Sequence, residues 1–273
     1  MQVLADLHMH SNFSDGKYSI EYLIDGCIEN NLNYFCISDH DTLEHIDAAK
    51  TYIKKLSTTS IELISGVEIS ANFNKNSIHI LAYNIDENNP DLKELLNRGK
   101  TERLNSLIKM GDKLSSQGIS LNYREHLMKQ NSPGRPHLAE LLIESGYCTD
   151  MQEAFDRWLG RGRPAYVKKW KPNAKNVIDT IHAAGGKAFI AHIGVYEFIN
   201  SLSDILNLKI DGIEVFHPDH SSNYSIELLK FAEENKYNIS GGSDFHGWNK
   251  NPRLGSFGLS EKYLDQFMDG LFL

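Results

Sequence analysis

The sequence predicts an α/β chain built as a barrel of seven or so β/α units, with a helical segment inserted midway. Three observations carry this expectation. Short apolar runs recur, each followed by a polar cluster and then a helical pattern, as parallel β/α units require. Histidines and carboxylates sit where those runs end, and in a (β/α)8-type barrel the carboxyl ends of the strands converge on one face. The repeat is interrupted between about Glu87 and Pro172, where no strand pattern is found. An open doubly wound sheet ranks second, because it gathers ligand residues at one crevice rather than from seven strand ends.

In chain order, Val3–Leu7 leads into His8-Met9-His10. Ile20–Asn30 then places Ile20, Leu23, Ile24, Cys27 and Ile28 on one helical face. Tyr34–Ser38 leads into Asp39-His40-Asp41, Leu63–Val67 into Glu68, and Ile78–Tyr83 carries His79 one residue in. The inserted segment opens with a helix over Asp91–Ser116, its stripe made of Leu92, Leu95, Leu96, Leu104, Leu107, Ile108 and Leu114. Shorter helices are expected around Tyr123–Gln130, Pro136–Ser145 and Asp150–Leu159. The β/α pattern resumes with a helix over Asn173–Ala184. Lys187–Ala191 then leads into His192, Gly212–Phe216 into His217, and Tyr237–Gly241 into Ser243-Asp244-Phe245-His246.

Composition narrows the function classes. At 273 residues, 41% hydrophobic and 23% charged, the chain reads as an ordinary soluble globular protein. A net charge of −8 argues against binding long nucleic acid, whose backbone demands many Lys and Arg. A small phosphorylated ligand remains open if metals or a local Arg cluster supply positive charge. Cys27, Cys36 and Cys148 form no CxxC pair, which fits a reducing compartment. The opening MQVLADLHMHSN has neither a basic nor an apolar leader region, and no apolar run approaches the ~20 residues of a membrane span, so a cytoplasmic location is expected.

The chemistry lies in the histidines and carboxylates. On a strand, residues i and i+2 face the same side, so His8 and His10 present two imidazoles to one point. Ser14-Asp15-Gly16 is a turn able to return a carboxylate to that pocket. His40, Glu68, His192, Asp244 and His246 occupy further strand ends, and His79 is placed to point inward. Any one of them alone is as readily structural as functional; together at one barrel face they point to a metal centre. Nine candidate ligands exceed what one zinc uses, so two or three divalent ions are expected, with a carboxylate such as Glu68 able to bridge. Without cysteine ligands, Mn²⁺, Zn²⁺ and Fe²⁺ all fit.

The segments ADLHMHSNFSDG, ISDHDT, GVEIS, HIL, AHIG and GGSDFHG, in that order, resemble the motifs of the PHP (polymerase and histidinol phosphatase) family. The resemblance implies a distorted (β/α)7, TIM-like barrel from residues 1–87 and 173–273, with the helical insertion 88–172 covering the active site. It also implies a trinuclear metal site hydrolysing phosphate esters. Carried over by motif, His8, His10, Glu68 and Asp244 would hold one metal. Glu68 would bridge to a second held by His79 and His192, and Asp15, His40 and His246 would hold the third. Arg135-Pro136-His137-Leu138-Ala139-Glu140, the stretch Gly160–Val167 and IEVFHPDHS at 213–221 are similar to a bacterial subgroup. Its members act on nucleoside 3′,5′-bisphosphates and on the 5′ ends of short oligoribonucleotides.

On this reading the substrate is a small phosphorylated nucleotide or a short oligoribonucleotide, attacked by metal-activated hydroxide. Arg135 and Arg163 are the candidates for phosphate recognition, since a guanidinium offers a bidentate fork to phosphate oxygens. His217 is a candidate to contact the phosphate, to protonate the leaving alkoxide, or to orient a ligand. Arg161, Lys168 and Lys169 read as surface charges, and Asp6 and Asp39 as hydrogen-bonding supports. The alternatives are a histidinol phosphate phosphatase, a non-catalytic PHP metal-binding module, and an amidohydrolase acting on C–N bonds.

Overall fold

The computed structural model describes residues 2–56, 61–196, 202–248 and 252–272. Strand β1 (Ala5–Met9) pairs in parallel with β2 (Tyr34–Ile37), and β2 with the two-residue β3 (Glu62–Leu63). A second sheet runs in the order β4 (Gly66–Phe73), β5 (Asn76–Tyr83), β6 (Lys187–Ile190), β7 (Gly212–Phe216) and β8 (Asn238–Gly241). Isolated parallel bridges join the sheets on both flanks, His40 to Glu68 on one and Met9 to Phe245 on the other. β1, β2 and β4 to β8 are therefore seven staves of a ring closed by single bridges, a distorted TIM-like barrel.

The helices are α1 (Ile20–Glu29), α2 (Glu44–Ile53), α3 (Pro90–Ser116), α4 (Tyr123–Met128), α5 (Arg135–Glu144), α6 (Met151–Ala154), α7 (Ala174–Ala183), α8 (Ser222–Asn235) and α9 (Glu261–Phe272). Side-chain caps start several of them: Ser19, Asn89, Asn173 and Ser221 each accept a backbone N–H of the first turn. Pro90 follows Asn89, where its missing N–H costs nothing. Helix α7 buries Ala174, Val177, Ile178 and Ile181 against β4, β5 and β6.

Three expectations need correction. Strand β5 is not a parallel unit: it folds back on β4 as a hairpin and is antiparallel to β6 as well. The turn residues Asn74 and Lys75, both with positive φ, make that reversal. Glu68 does not end a strand but lies within β4, because the apolar run breaks at Ile64-Ser65 and resumes at Gly66. Ile28 is 40% exposed, so the buried stripe of α1 is Ile20, Leu23, Ile24 and Cys27.

Between β5 and α7, no strand occurs among the described residues. The helices there enclose a core of their own, in which Leu107, Met110 and Leu114 of α3 meet Tyr123, Leu127, Leu138 and Leu142. Leu92 and Leu96, nearer the start of α3, belong instead to the core of the five-stranded sheet. One helix thus ties the two cores together. Phe155–Leu159 forms a π-turn continuing α6. No described helix is long and apolar enough to cross a membrane, and the three cysteines are free and buried.

A candidate metal centre under a basic cleft

His8 lies in β1 and His10 one residue beyond it, both fully buried, with ring centroids 5.2 Å apart. Glu68 of β4 sits opposite them. Its Oε2 lies 3.4 Å from His8 Nε2, 3.2 Å from His10 Nε2 and 3.0 Å from His40 Nδ1. Its Oε1 lies 2.7 Å from His79 Nδ1 and 2.9 Å from His192 Nε2. The reversal of β5 explains His79: this strand presents its first residues, not its last, at the end of the barrel where the others finish. Asp244 follows β8 and places Oδ1 at 3.3 Å from His8 Nε2 and 3.1 Å from His10 Nε2. Asp15 Oδ1 is 3.3 Å from His246 Nε2, and Asp15 Oδ2 is 3.9 Å from His40 Nε2.

All nine sequence-derived ligand candidates therefore meet in one cluster. Three sets have donor atoms within 4.8 Å of one another: His10, Asp15, His40 and His246; His8, His10 and Glu68; and His40, Glu68 and His79. The backbone is strained to achieve this. His192 (φ 30°) and Asp244 (φ 48°) occupy left-handed conformations that a residue with a side chain adopts at a cost. At Gly242 a Cβ would lie 2.3 Å from the backbone nitrogen of His8, so only glycine lets β8 pass this close to β1.

The donor set fits divalent cations. His8 Nε2, both nitrogens of His10, His40 Nδ1 and His192 Nδ1 are buried without a hydrogen-bond partner, although carboxylate oxygens lie 3.0 to 4.0 Å from all but the last. Imidazole nitrogens and carboxylate oxygens converge on shared points, as ligands around an ion do. Burial penalises the ionised form of Asp15, Glu68 and Asp244. The surrounding imidazoles outweigh it and hold all three well below the usual carboxylate range. Buried anions in this number need cationic partners. Conversely, burial works against charge on His10, but the Asp244 and Glu68 carboxylates beside it outweigh that and raise its pKa to about 10.

A shell of acids and hydroxyls holds these ligands. Glu214 Oε1 lies 3.0 Å from His8 Nδ1, and Glu214 Oε2 accepts the His192 backbone N–H at 2.6 Å. Asp39 accepts the Ser11 backbone N–H and the hydroxyls of Ser11 and Ser14. Asp6 accepts N–H groups from Ser243 and Gly255. His217 is buried. Its Nδ1 accepts the Asp219 N–H, leaving Nε2 to donate toward Asp244 Oδ2 at 3.4 Å. Burial opposes its protonation, but Asp244 and Glu214 prevail and its pKa rises. His45, His137 and His220 serve local structure through bonds to Gly66 O, Gly134 N and Val215 O.

Above the cluster lies a cleft of about 480 Å³, with Asp15, His40, His79 and His246 in its floor. Helices α3 and α5 wall it with Arg103, Met110 and Arg135, and the strap before α7 adds Lys168, Lys169 and Lys171. Arg135 reaches it with its guanidinium 5.2 Å from the Phe155 ring centroid. Arg163 does not line it. Its N–H closes a turn onto Gly160 O and its side chain is exposed, whereas Arg161 of the same turn reaches the cleft. Lys169 is no surface charge: its Nζ hydrogen-bonds Ser70 Oγ at 3.0 Å and lies 3.4 Å from Asp41. Asp41, at φ 54° beside His40, also accepts hydrogen bonds from Arg103 Nη2 and Nε, at 2.7 and 3.2 Å.

Sequence reasoning missed Glu214, Asp41 and Arg103. Glu214 carried a usable signal, an acid in the middle of the apolar run Gly212–Phe216. Arg103 carried none, being one of several basic residues on an amphipathic helix.

A barrel with a histidine–carboxylate cluster at one mouth and a basic cleft above it defines a class, the metal-dependent hydrolases of TIM-like architecture. The PHP domain matches residues 6–191, and the chain belongs to that family. It is 35% identical over 254 residues to a 5′-3′ exoribonuclease of Haemophilus influenzae, covering 89% of this chain and 91% of that one. It is 30% identical over 250 residues to a 3′,5′-nucleoside bisphosphate phosphatase of Chromobacterium violaceum, covering 88% and 86%. Its fold matches that of a Bifidobacterium adolescentis protein described as a metal-dependent phosphoesterase, with a TM-score of 0.89, 26% identity and coverage of 97% and 96%.

Proposed function

We propose that this chain is a metal-dependent phosphoesterase acting on nucleotides. It removes the 3′-phosphate of nucleoside 3′,5′-bisphosphates or trims short oligoribonucleotides from the 5′ end. The observation that carries this reading is the stacking of a strongly basic cleft directly on the acid–histidine cluster, in a chain of net charge −8. The relatives named for nucleotide and RNA substrates support the same reading.

His8, His10, Asp15, His40, Glu68, His79, His192, Asp244 and His246 hold two or three Mn²⁺, Zn²⁺ or Fe²⁺ ions. Such ions supply a hydroxide near neutral pH and stabilise the oxygens of a displacement at phosphorus. Arg135, Arg103 and Lys169 orient the phosphates, with Arg103 and Lys169 themselves held by Asp41. His217 keeps a proton on Nε2 at the Asp244 carboxylate, placed to orient that ligand or to pass the proton to the departing oxygen. Residues 1–87 and 173–273 act as the metal-binding barrel and 88–172 as a roof that selects the substrate.

The test, in the presence of Mn²⁺, is phosphate release from adenosine 3′,5′-bisphosphate and histidinol phosphate, and mononucleotide release from 5′-phosphorylated oligoribonucleotides. Turnover of the first or second, lost in Asp244→Ala with the fold retained, is expected. Preference for histidinol phosphate would move the assignment to that phosphatase. Sub-stoichiometric metal with no hydrolysis would make the chain a non-catalytic module.

A further inference from the structure

The strap that carries Lys169 and Lys171 into the cleft also carries Trp170 out of it. The Trp170 side chain is 36% exposed, and the Arg98 guanidinium of α3 lies over its ring, 3.8 Å from the centroid. Together they wall an open groove between α3 and α7, whose lining also includes Asn176 and Thr180. Lys171 lines both this groove and the reaction cleft, and its Nζ is tied to Ser77 Oγ at the start of β5. A polymer leaving the cleft past Lys171 therefore meets Trp170 next.

The chemistry of the groove suits a base rather than a phosphate. An aromatic face backed by a guanidinium is a stacking surface open to any nucleobase. Asp91 and Glu94 on the same lining repel phosphate but accept hydrogen bonds from exocyclic amines. We infer that Trp170 and Arg98 form a stacking platform for a base of a single-stranded oligoribonucleotide, on the 3′ side of the residue held at the metal cluster. This rests on the nucleotide phosphoesterase reading above. The platform gives the protein a preference for chains long enough to cross Lys171, over mononucleotides.

Kinetics on 5′-phosphorylated oligoadenylates of increasing length, beside adenosine 3′,5′-bisphosphate, test it in the metal-loaded protein. In the wild type KM should fall once the chain reaches the groove. Trp170→Ala should abolish that fall, raising KM for the longer chains about tenfold, since base–aromatic stacking is worth roughly that much. The bisphosphate and the shortest chain should be unaffected, and Trp170→Phe should keep most of the length dependence. A length profile in Trp170→Ala equal to the wild type's would overturn the platform, as would an equal loss on the bisphosphate, which marks mere pinning of the strap. If the wild type itself cleaves no oligonucleotide, the exonuclease reading fails and the platform with it.

Discussion

At the scale of single residues, the site depends on charges that sequence position does not advertise. Lys169 is half-buried beside Arg103; partial desolvation and that guanidinium together push its pKa down to about 8 even though Asp41 opposes them. It is therefore charged below that value and loses its charge above it. KM for a phosphorylated substrate should rise as pH passes about 8, and Lys169→Arg should remove the dependence because a guanidinium stays charged. A pH–KM profile unchanged by the substitution would take Lys169 out of phosphate recognition. Glu214 acts at one remove, holding the face of His8 away from the cluster and the backbone of His192. Glu214→Gln should weaken metal affinity about 10- to 100-fold with little change in folding, as losses of such outer carboxylates do. Metal titration followed by calorimetry reads it.

At the scale of elements, the reversed strand β5 and the long helix α3 matter most. The hairpin β4–β5 delivers Glu68 and His79 from adjacent strands, with Ser70 facing His79 in the register. Helix α3 roots in the barrel core with Leu92 and Leu96 and roofs the cleft with Arg103, before closing the second core with Leu107, Met110 and Leu114. At Gly111 of α3 a Cβ would lie 2.2 Å from the Tyr123 ring, so the α3–α4 contact needs glycine. Gly111→Ala should cost about 1–3 kcal/mol by overpacking. The metal content should stay normal, because every ligand candidate comes from the barrel. Thermal denaturation with metal analysis checks both; loss of metal alongside stability would mean the two cores are not separable. The helices of the inserted segment were readable from periodicity to within a few residues. The direction of β5 was not, since a two-residue turn and a βα connection leave the same short apolar run.

At the scale of the whole molecule, the buried cluster makes stability depend on cations. His10, with a pKa near 10 in the metal-free fold, ordinarily titrates at ~6.5 when unfolded. A raised pKa means its stabilising contribution is whole below about pH 6.5 and is lost as pH climbs through about 10. Bound metal replaces those protons. The gap in Tm between metal-loaded and chelator-treated protein should therefore widen over that interval, and a gap independent of pH would refute this account of the cluster.

The sequence by itself determined the α/β class and the inserted helices and offered all nine ligand candidates, because histidines and carboxylates beside apolar runs are legible in local pattern and His8-Met9-His10 needs only the two-residue period of a strand. Only the tertiary structure decided what stands behind and above that pair. Glu214, Asp41 and Arg103 become partners across 206, 29 and 33 residues of chain, to His8, Ser70 and Ser70 respectively. Arg161 rather than Arg163 faces the cleft because a tight turn at Gly160 sets which side chain points inward. Burial and charge at that range are properties of the packed whole, and no local pattern encodes them.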